Sequence, residues 1–173
     1  MKRYLGIAAF ALIAVFCGRD VMAQGFKFGH INSDDLIKAM PEYDSATAKL
    51  EKTRKELVNA LDIMQVELKN KADAYTKEQK NLTDLVKQTK EQELNDMNTR
   101  IQEFQANAQN KLSEEQATLF QPIMAKADKA IKVVGKEGGY LYIFDIAKGP
   151  LVYFDETKST NVIAIVKAKM GLK

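Results

Sequence analysis

The longest uninterrupted segment of this sequence runs from Glu42 to Gln121, with 80 residues that include no glycine and no proline. Glycine and proline are the strongest local breakers of regular structure, and the segment is rich in Ala, Leu, Glu, Gln and Lys, which favour helix. It therefore predicts helix almost throughout. A helix of this length is far longer than a small domain is wide.

Apolar residues in this segment recur at spacings of three, four and seven, which places them on one narrow stripe of a helix. The first stripe consists of Leu50, Leu57, Leu61, Met64, Leu68, Tyr75 and Leu82. The second consists of Leu94, Met97, Ile101, Phe104 and Ala108, shifts register near Leu112 and Leu119, and continues through Ile123, Ala127, Ala130, Ile131 and Val134. A narrow apolar stripe can be covered by one partner helix, so we predict a hairpin in which two antiparallel helices pack their stripes together.

The turn of this hairpin is expected between residues 77 and 90, where the stripe loosens and Asn81 to Asp84 supply residues that cap helices. Two arms of about 40 residues, at about 1.5 Å per residue, would each reach roughly 60 Å. The arms would therefore project from a body formed by the two ends of the chain.

The segment before the arms predicts a strand at Phe26–Ile31 and then a short helix with Asn32 or Ser33 as its cap. Pro41 and Asp44 are expected to separate that helix from the first arm. After the second arm, Gly138 and Gly139 end the helix.

The last residues predict a β-hairpin and a helix. The strands of this hairpin are Tyr140–Ile146 and Leu151–Asp155, joined by a turn at Lys148–Pro150. A short helix follows, capped by Thr160 or Asn161, with Ile163, Val166 and Met170 on one face. The predicted fold class is α+β, with a helical hairpin projecting from a small β body.

Residues 1–23 have the pattern of a secretory signal peptide: Lys2 and Arg3, an apolar run from Leu5 to Phe16, and small residues before a cleavage point at Ala23. An uncleaved anchor and a lipid-modified Cys17 are the alternatives, but the run is shorter than the roughly 20 residues that span a membrane. Cleavage leaves 23 basic and 22 acidic residues and no cysteine. The predicted divisions are 1–23 signal peptide, 24–43 body, 44–136 arm and 137–173 body.

Three short strands and two short helices form too small a core for an independent domain, so several copies are expected to associate through the body. The residues predicted to form the body and its interface are Phe26, Phe28, Ile31, Tyr140, Tyr142, Phe144, Val152 and Phe154. Stacking of single-stranded nucleic acid is the alternative role for the aromatic residues near the last strands, which are Tyr140, Tyr142, Phe144, Tyr153 and Phe154. Few basic residues lie near them, so we expect no nucleic-acid partner.

The arm tip combines a local surplus of lysine with acidic residues that follow at once. The six lysines are Lys69, Lys71, Lys77, Lys80, Lys87 and Lys90. Two interpretations remain open: a solvated face with ion pairs between successive turns, and a cationic tip that guides a partner. Pro122 is expected to bend the second arm, either as a static kink or as a hinge.

The sequence offers no constellation for catalysis. His30 is the only histidine, and the mature chain has no cysteine to serve beside it as nucleophile or metal ligand. The glycines match no phosphate-binding loop. We therefore predict that the protein is not an enzyme and holds no cofactor or metal.

Several segments together resemble the Skp (OmpH) family of periplasmic chaperones. They are the opening strand Lys27–Asn32, the segment Lys90–Leu94 beyond the tip, Pro122-Ile123, and the closing run from Ala130 through Glu137–Tyr140 and Ile143–Asp145 to Val152-Tyr153. The resemblance covers the mature chain in the same order of elements. This chain departs from it in its near-neutral charge and in Lys158–Thr160 before the last helix.

The resemblance implies a homotrimer in which a β body carries three helical arms around a central cavity. It also implies a periplasmic holdase that needs no ATP and binds unfolded outer-membrane β-barrel proteins before their assembly. Contact with membrane lipid or lipopolysaccharide is a further expectation that the residues do not decide. The alternative is a structural coiled-coil protein of the envelope, a spacer or tether with no affinity for unfolded chains.

Overall fold

The computed structural model describes residues 25–172, so the predicted signal peptide lies outside the described residues. The elements in chain order are β1 (Lys27–Ile31), α1 (Ser33–Lys38), α2 (Pro41–Glu78), a 3-10 turn (Gln79–Asn81), α3 (Asp84–Glu137), β2 (Tyr140–Asp145), β3 (Ser159–Asn161) and α4 (Ile163–Met170). The fold is therefore α+β, mostly helical, with one small sheet made from both ends of the chain.

Helices α2 and α3 form the predicted antiparallel hairpin. Every residue of the two predicted stripes is partly or fully buried, and Met97 and Ile101 are only 4% and 8% exposed. The break between the helices, at residues 79–83, lies inside the range predicted for the tip. Thr83 occupies the cap position of α3, although its side chain makes no capping hydrogen bond.

Helix α2 begins at Pro41, so this proline starts the first arm and does not stand apart from it. Proline is favoured in the first turn because its fixed φ angle suits the helix and its missing N–H would have no partner there. Asn32 caps α1 as expected, since its side-chain oxygen accepts hydrogen bonds from the Asp34 and Asp35 amides.

The sheet has the order β2-β1-β3, and both pairings with β1 are parallel. The predicted β-hairpin is therefore wrong: residues 151–155 form no strand, and the third strand is Ser159–Asn161. Asn161, one of the two residues expected to cap the last helix, still accepts a hydrogen bond from the amide of Ile163, the first residue of that helix.

Residues 146–149 do turn after β2, where the Gly149 amide donates to the Asp145 carbonyl, but the strand that follows pairs with β1 and not with β2. The Asp145 carboxylate accepts hydrogen bonds from the Ser33 hydroxyl and amide, which anchor the end of β2 to the start of α1, and from the Ala147 amide within the turn.

The body core includes the bases of the arms, which the sequence analysis treated as separate from the body. Ile31, Leu36, Val162 and Val166 of the terminal elements are at most 1% exposed. They pack in one cluster with arm residues Ala46, Ile123, Ala127 and Val134. Because the arms supply part of the core, a single chain buries more apolar surface than its short elements alone would allow.

Gly29 allows side chains of β2 and of the start of α4 to pack closely against β1. A β-carbon at this position would lie 3.1 Å from the Val162 side chain and 3.2 Å from those of Ile143 and Tyr140. A larger residue in the middle of β1 would therefore push the sheet away from these side chains.

Candidate functional site

The six lysines predicted for the arm tip differ in their partners. Lys69 contacts Asp73 at 2.8 Å, Lys87 contacts Asp84 at 3.6 Å, and Lys90 contacts Glu78 at 3.8 Å. Lys71 pairs with Glu93 of α3 and lies 3.8 Å from Glu67. Within residues 25–172, Lys77 and Lys80 make no ion pair, so they are the two tip lysines whose charge is not offset by a contact.

Within residues 25–172, three ion pairs join α2 to α3. Lys71 with Glu93 and Lys90 with Glu78 join the arms near the tip, and Lys126 with Glu42 joins them near the body. The hydrogen bond from Lys71 lowers the pKa of Glu93, and the bond to Glu93 raises the pKa of Lys71. All these groups are exposed, so each pair contributes little to stability.

An apolar face of the sheet lies open to solvent. Phe28 and Tyr142 stack with ring centroids 6.4 Å apart, and Tyr142 stacks on Phe144 at 5.9 Å. Tyr142 is 59% exposed and Phe144 is 38% exposed. Phe154 continues this face, with its ring 4.7 Å from that of His30. We call Phe28, Tyr142, Phe144 and Phe154 the aromatic face.

The other four predicted body residues lie in different surroundings. Ile31 is buried in the core of the single chain, so it cannot contact another copy. Tyr140 packs on the same core, with the Lys27 ammonium 4.2 Å from its ring centre. The pairing register shifts between Lys27 and Phe28, so that Leu141 is an extra residue and Tyr140 and Tyr142 no longer lie on the same face of the sheet. Phe26 and Val152 are 74% and 99% exposed.

Pro122 lies inside α3, which continues through it without interruption. It lines a groove between the arm bases together with Pro41, the first residue of α2. Proline in a helix interior leaves one carbonyl without its usual partner. Both arms therefore have a proline at the level where they leave the body, and the hinge at Pro122 stays a prediction.

His30 has a structural environment. Its Nδ1 lies 2.9 Å from the Ser159 hydroxyl, and this contact links β1 to β3. Among residues 25–172, no group of three or more His, Cys, Asp or Glu side chains is placed to hold a metal ion. No helix in that range is both long and apolar enough to cross a membrane.

The polar contact between Ser33 and Asp145 ties the sheet to α1. The Ser33 hydroxyl donates to Asp145 at 2.6 Å, and the Ser33 amide donates to the same carboxylate at 3.2 Å. Burial opposes ionisation of Asp145, but the bonds from Ser33 and from the Ala147 amide outweigh it and hold the pKa of Asp145 below its usual value.

We expect Asp145→Asn to destabilise the protein at pH 7 by about 1 kcal/mol, because the amide replaces one acceptor oxygen with a donor. Since the folded-state pKa is depressed, the contribution of Asp145 is present above its ordinary pKa and disappears as pH falls through the folded value. Thermal unfolding at fixed protein concentration, between pH 7 and 2.5, should show a steeper acid loss for the unmodified chain. Asp128→Asn, which affects only the exposed pair with Lys132, is the control. Identical acid slopes for Asp145→Asn and the unmodified chain would contradict this assignment.

The sequence analysis missed the apolar residues on the outer surface of the arms. Val58, Ile63 and Val66 of α2 are 48%, 69% and 57% exposed, and Leu85 near the tip is 75% exposed. The α2 residues lie a quarter to a half turn away from the seam formed by the two stripes. Apolar residues that lie outside the predicted stripe can be found from the helical periodicity, and this pattern could have identified them.

A comparison with protein families supplies one match. The family described as "Outer membrane protein (OmpH-like)" matches residues 27–170, which include every helix and strand of the structure. No curated protein matches the chain.

Proposed function

The chain belongs to the OmpH-like family, a family of periplasmic chaperones for outer-membrane proteins, and on that premise we propose that it is a holdase that works without ATP. It encloses unfolded outer-membrane β-barrel proteins between its arms and prevents their aggregation before they reach the membrane. The predicted signal peptide at residues 1–23 supports export to the periplasm.

The observation that carries this proposal is the open arm. Helix α2 has 38 residues, about 57 Å at 1.5 Å per residue, and beyond its base it packs on α3 along a single seam. Most other arm side chains are exposed, including the apolar residues Val58, Ile63 and Val66. A surface of this kind offers many weak contacts to an unfolded chain, and weak contacts keep its release fast.

We further propose that three copies associate through the aromatic face. An exposed apolar patch of this kind is rare on a monomer and common at an interface. A trimer joined at the body would hold three arms side by side around one space. The size of that space would follow from the length of the arms.

The first test is light scattering while an unfolded outer-membrane β-barrel protein is diluted from urea, with and without the purified chain and with no ATP. We expect aggregation to be suppressed at about one trimer per client. A chaperone known to protect the same client is the positive control. Unchanged scattering beside a working control would overturn the holdase proposal and favour the envelope spacer.

We propose that Lys77 and Lys80 guide the client to the arm tip, because they are the two tip lysines that make no ion pair within residues 25–172. We expect Lys77→Gln with Lys80→Gln to slow client association about two- to threefold at low salt, because exposed charges steer encounters without deciding affinity. Stopped-flow fluorescence with a labelled client measures this rate. The difference should vanish above about 0.3 M salt. Lys49→Gln with Lys55→Gln, two exposed lysines nearer the body that also make no ion pair within residues 25–172, is the matched control.

A further inference from the structure

Helix α3 carries a long outer surface without charge. The residues of its outermost row recur every three or four positions and are all exposed; they are Gln92, Asn95, Thr99, Gln102, Ala106 and Asn110. A second exposed row, between the first and the seam, consists of Asn98, Gln105, Gln109 and Gln116. We call these two rows the amide face.

Charge on this part of α3 is confined to one flank of the helix, where Asp96 accepts a hydrogen bond from Gln92 at the border of the amide face. The seven charged residues between Gln92 and Met124 are Glu93, Asp96, Arg100, Glu103, Lys111, Glu114 and Glu115. At about 100° per residue they occupy an arc of about 120° that starts at the seam residue Met97. Helix α2 shows no such separation, because Lys55 and Asp62 lie on one flank and Glu56 and Glu67 on the other.

An amide side chain suits one kind of partner. Gln and Asn both donate and accept hydrogen bonds, so they can pair with either the N–H or the C=O of an extended main chain, whatever its sequence. Lysine can only donate, and glutamate can only accept. Removing water from a neutral amide also costs less than removing it from a charged group.

The dimensions of the amide face match the same partner. From Gln92 to Gln116 the helix rises about 36 Å. A transmembrane β-strand of about 9–11 residues, at about 3.4 Å per residue, has a length of about 31–37 Å. The face lacks the row of large apolar side chains that an arm from a second copy would need in order to pack along it.

We infer that the amide face is the surface of the arm that binds an unfolded client, and that it holds one extended transmembrane β-strand through main-chain hydrogen bonds. This inference rests on the proposed holdase function and adds to it which side of the arm faces the client. Each such bond replaces a hydrogen bond to water, so its net contribution is small and the strand can exchange between positions along the face.

The test introduces charge of both signs at three positions of the outer row. One variant carries Asn95→Glu, Gln102→Glu and Asn110→Glu, and a second carries Lys at the same positions. The matched controls place three Glu or three Lys at Thr89, Asn107 and Thr118, which are equally exposed but lie on the charged side of α3. Affinity for a fluorescently labelled, urea-unfolded eight-stranded outer-membrane β-barrel protein is measured by titration with each chain, purified from cells that express it in full.

We expect both amide-face variants to weaken client binding about tenfold or more, and both controls to change it less than about twofold. Unchanged affinity in the amide-face variants, with client binding by the unmodified chain intact, would overturn the inference and leave the holdase function standing. Glu and Lys variants that shift affinity in opposite directions would also overturn it, because they would show that client charge decides binding. Absence of binding by the unmodified chain would overturn the holdase proposal itself. Circular dichroism and mass measurement exclude loss of folding as the cause.

Discussion

We expect the double substitution Tyr142→Glu with Phe144→Glu to convert the proposed trimer into monomers. These two residues stack on each other in the middle of the aromatic face and are 59% and 38% exposed in the single chain. Burial of each large apolar side chain stabilises an interface by about 1.5–3 kcal/mol, and a charge buried without a partner costs more than that. We expect the concentration at which the trimer dissociates to rise at least about a hundredfold.

Mass measurement by light scattering after size-exclusion chromatography, at several protein concentrations, reports this change. Val66→Glu with Leu85→Glu, two exposed apolar positions on the arms, is the matched control and should leave the mass unchanged. Tyr142→Ser with Phe144→Ser separates lost apolar contact from charge repulsion. An unchanged trimer mass for the Glu variant at micromolar concentration would exclude the aromatic face as the interface.

Shortening both arms by equal amounts is expected to abolish protection of a large client while the body still assembles. The pair formed by Lys71 and Glu93 shows which residues of α2 and α3 lie opposite each other. Deleting residues 57–70 and 94–107 removes two heptads from each arm, just on the body side of that pair. Because whole heptads are removed, the apolar stripes of the shortened helices still face each other. Each arm becomes about 21 Å shorter.

The readout is the number of trimers needed per client for half-maximal suppression of aggregation. For a 16-stranded client we expect this number to rise at least about fivefold, because the shorter arms enclose less space. An eight-stranded client should be affected less: the deletion also removes the amide-face residues from Asn95 to Ala106, which affects both clients, and the difference between the two clients reports the enclosed space. Equal protection of both clients by the short-armed protein would contradict enclosure as the mechanism, and an unchanged trimer mass confirms that the body has assembled.

The sequence by itself determined the helices, the seam between them and the place of the turn. These features depend on residues three to seven positions apart, and each stripe residue, such as Met97 or Leu61, shows its role through its neighbours. The cap at Asn32 was predictable for the same reason, because its partners Asp34 and Asp35 follow at once.

Only the tertiary structure decided how the ends of the chain pair. Residues 151–155 contain a run of apolar residues that favour strands, but the two edges of β1 are occupied by β2 and by Ser159–Asn161, which no local pattern indicates. Likewise, the shift that places Tyr140 in the core and Tyr142 on the aromatic face depends on the register with β1. Strand pairing joins residues more than 100 positions apart, so its direction and register follow from which surfaces pack together.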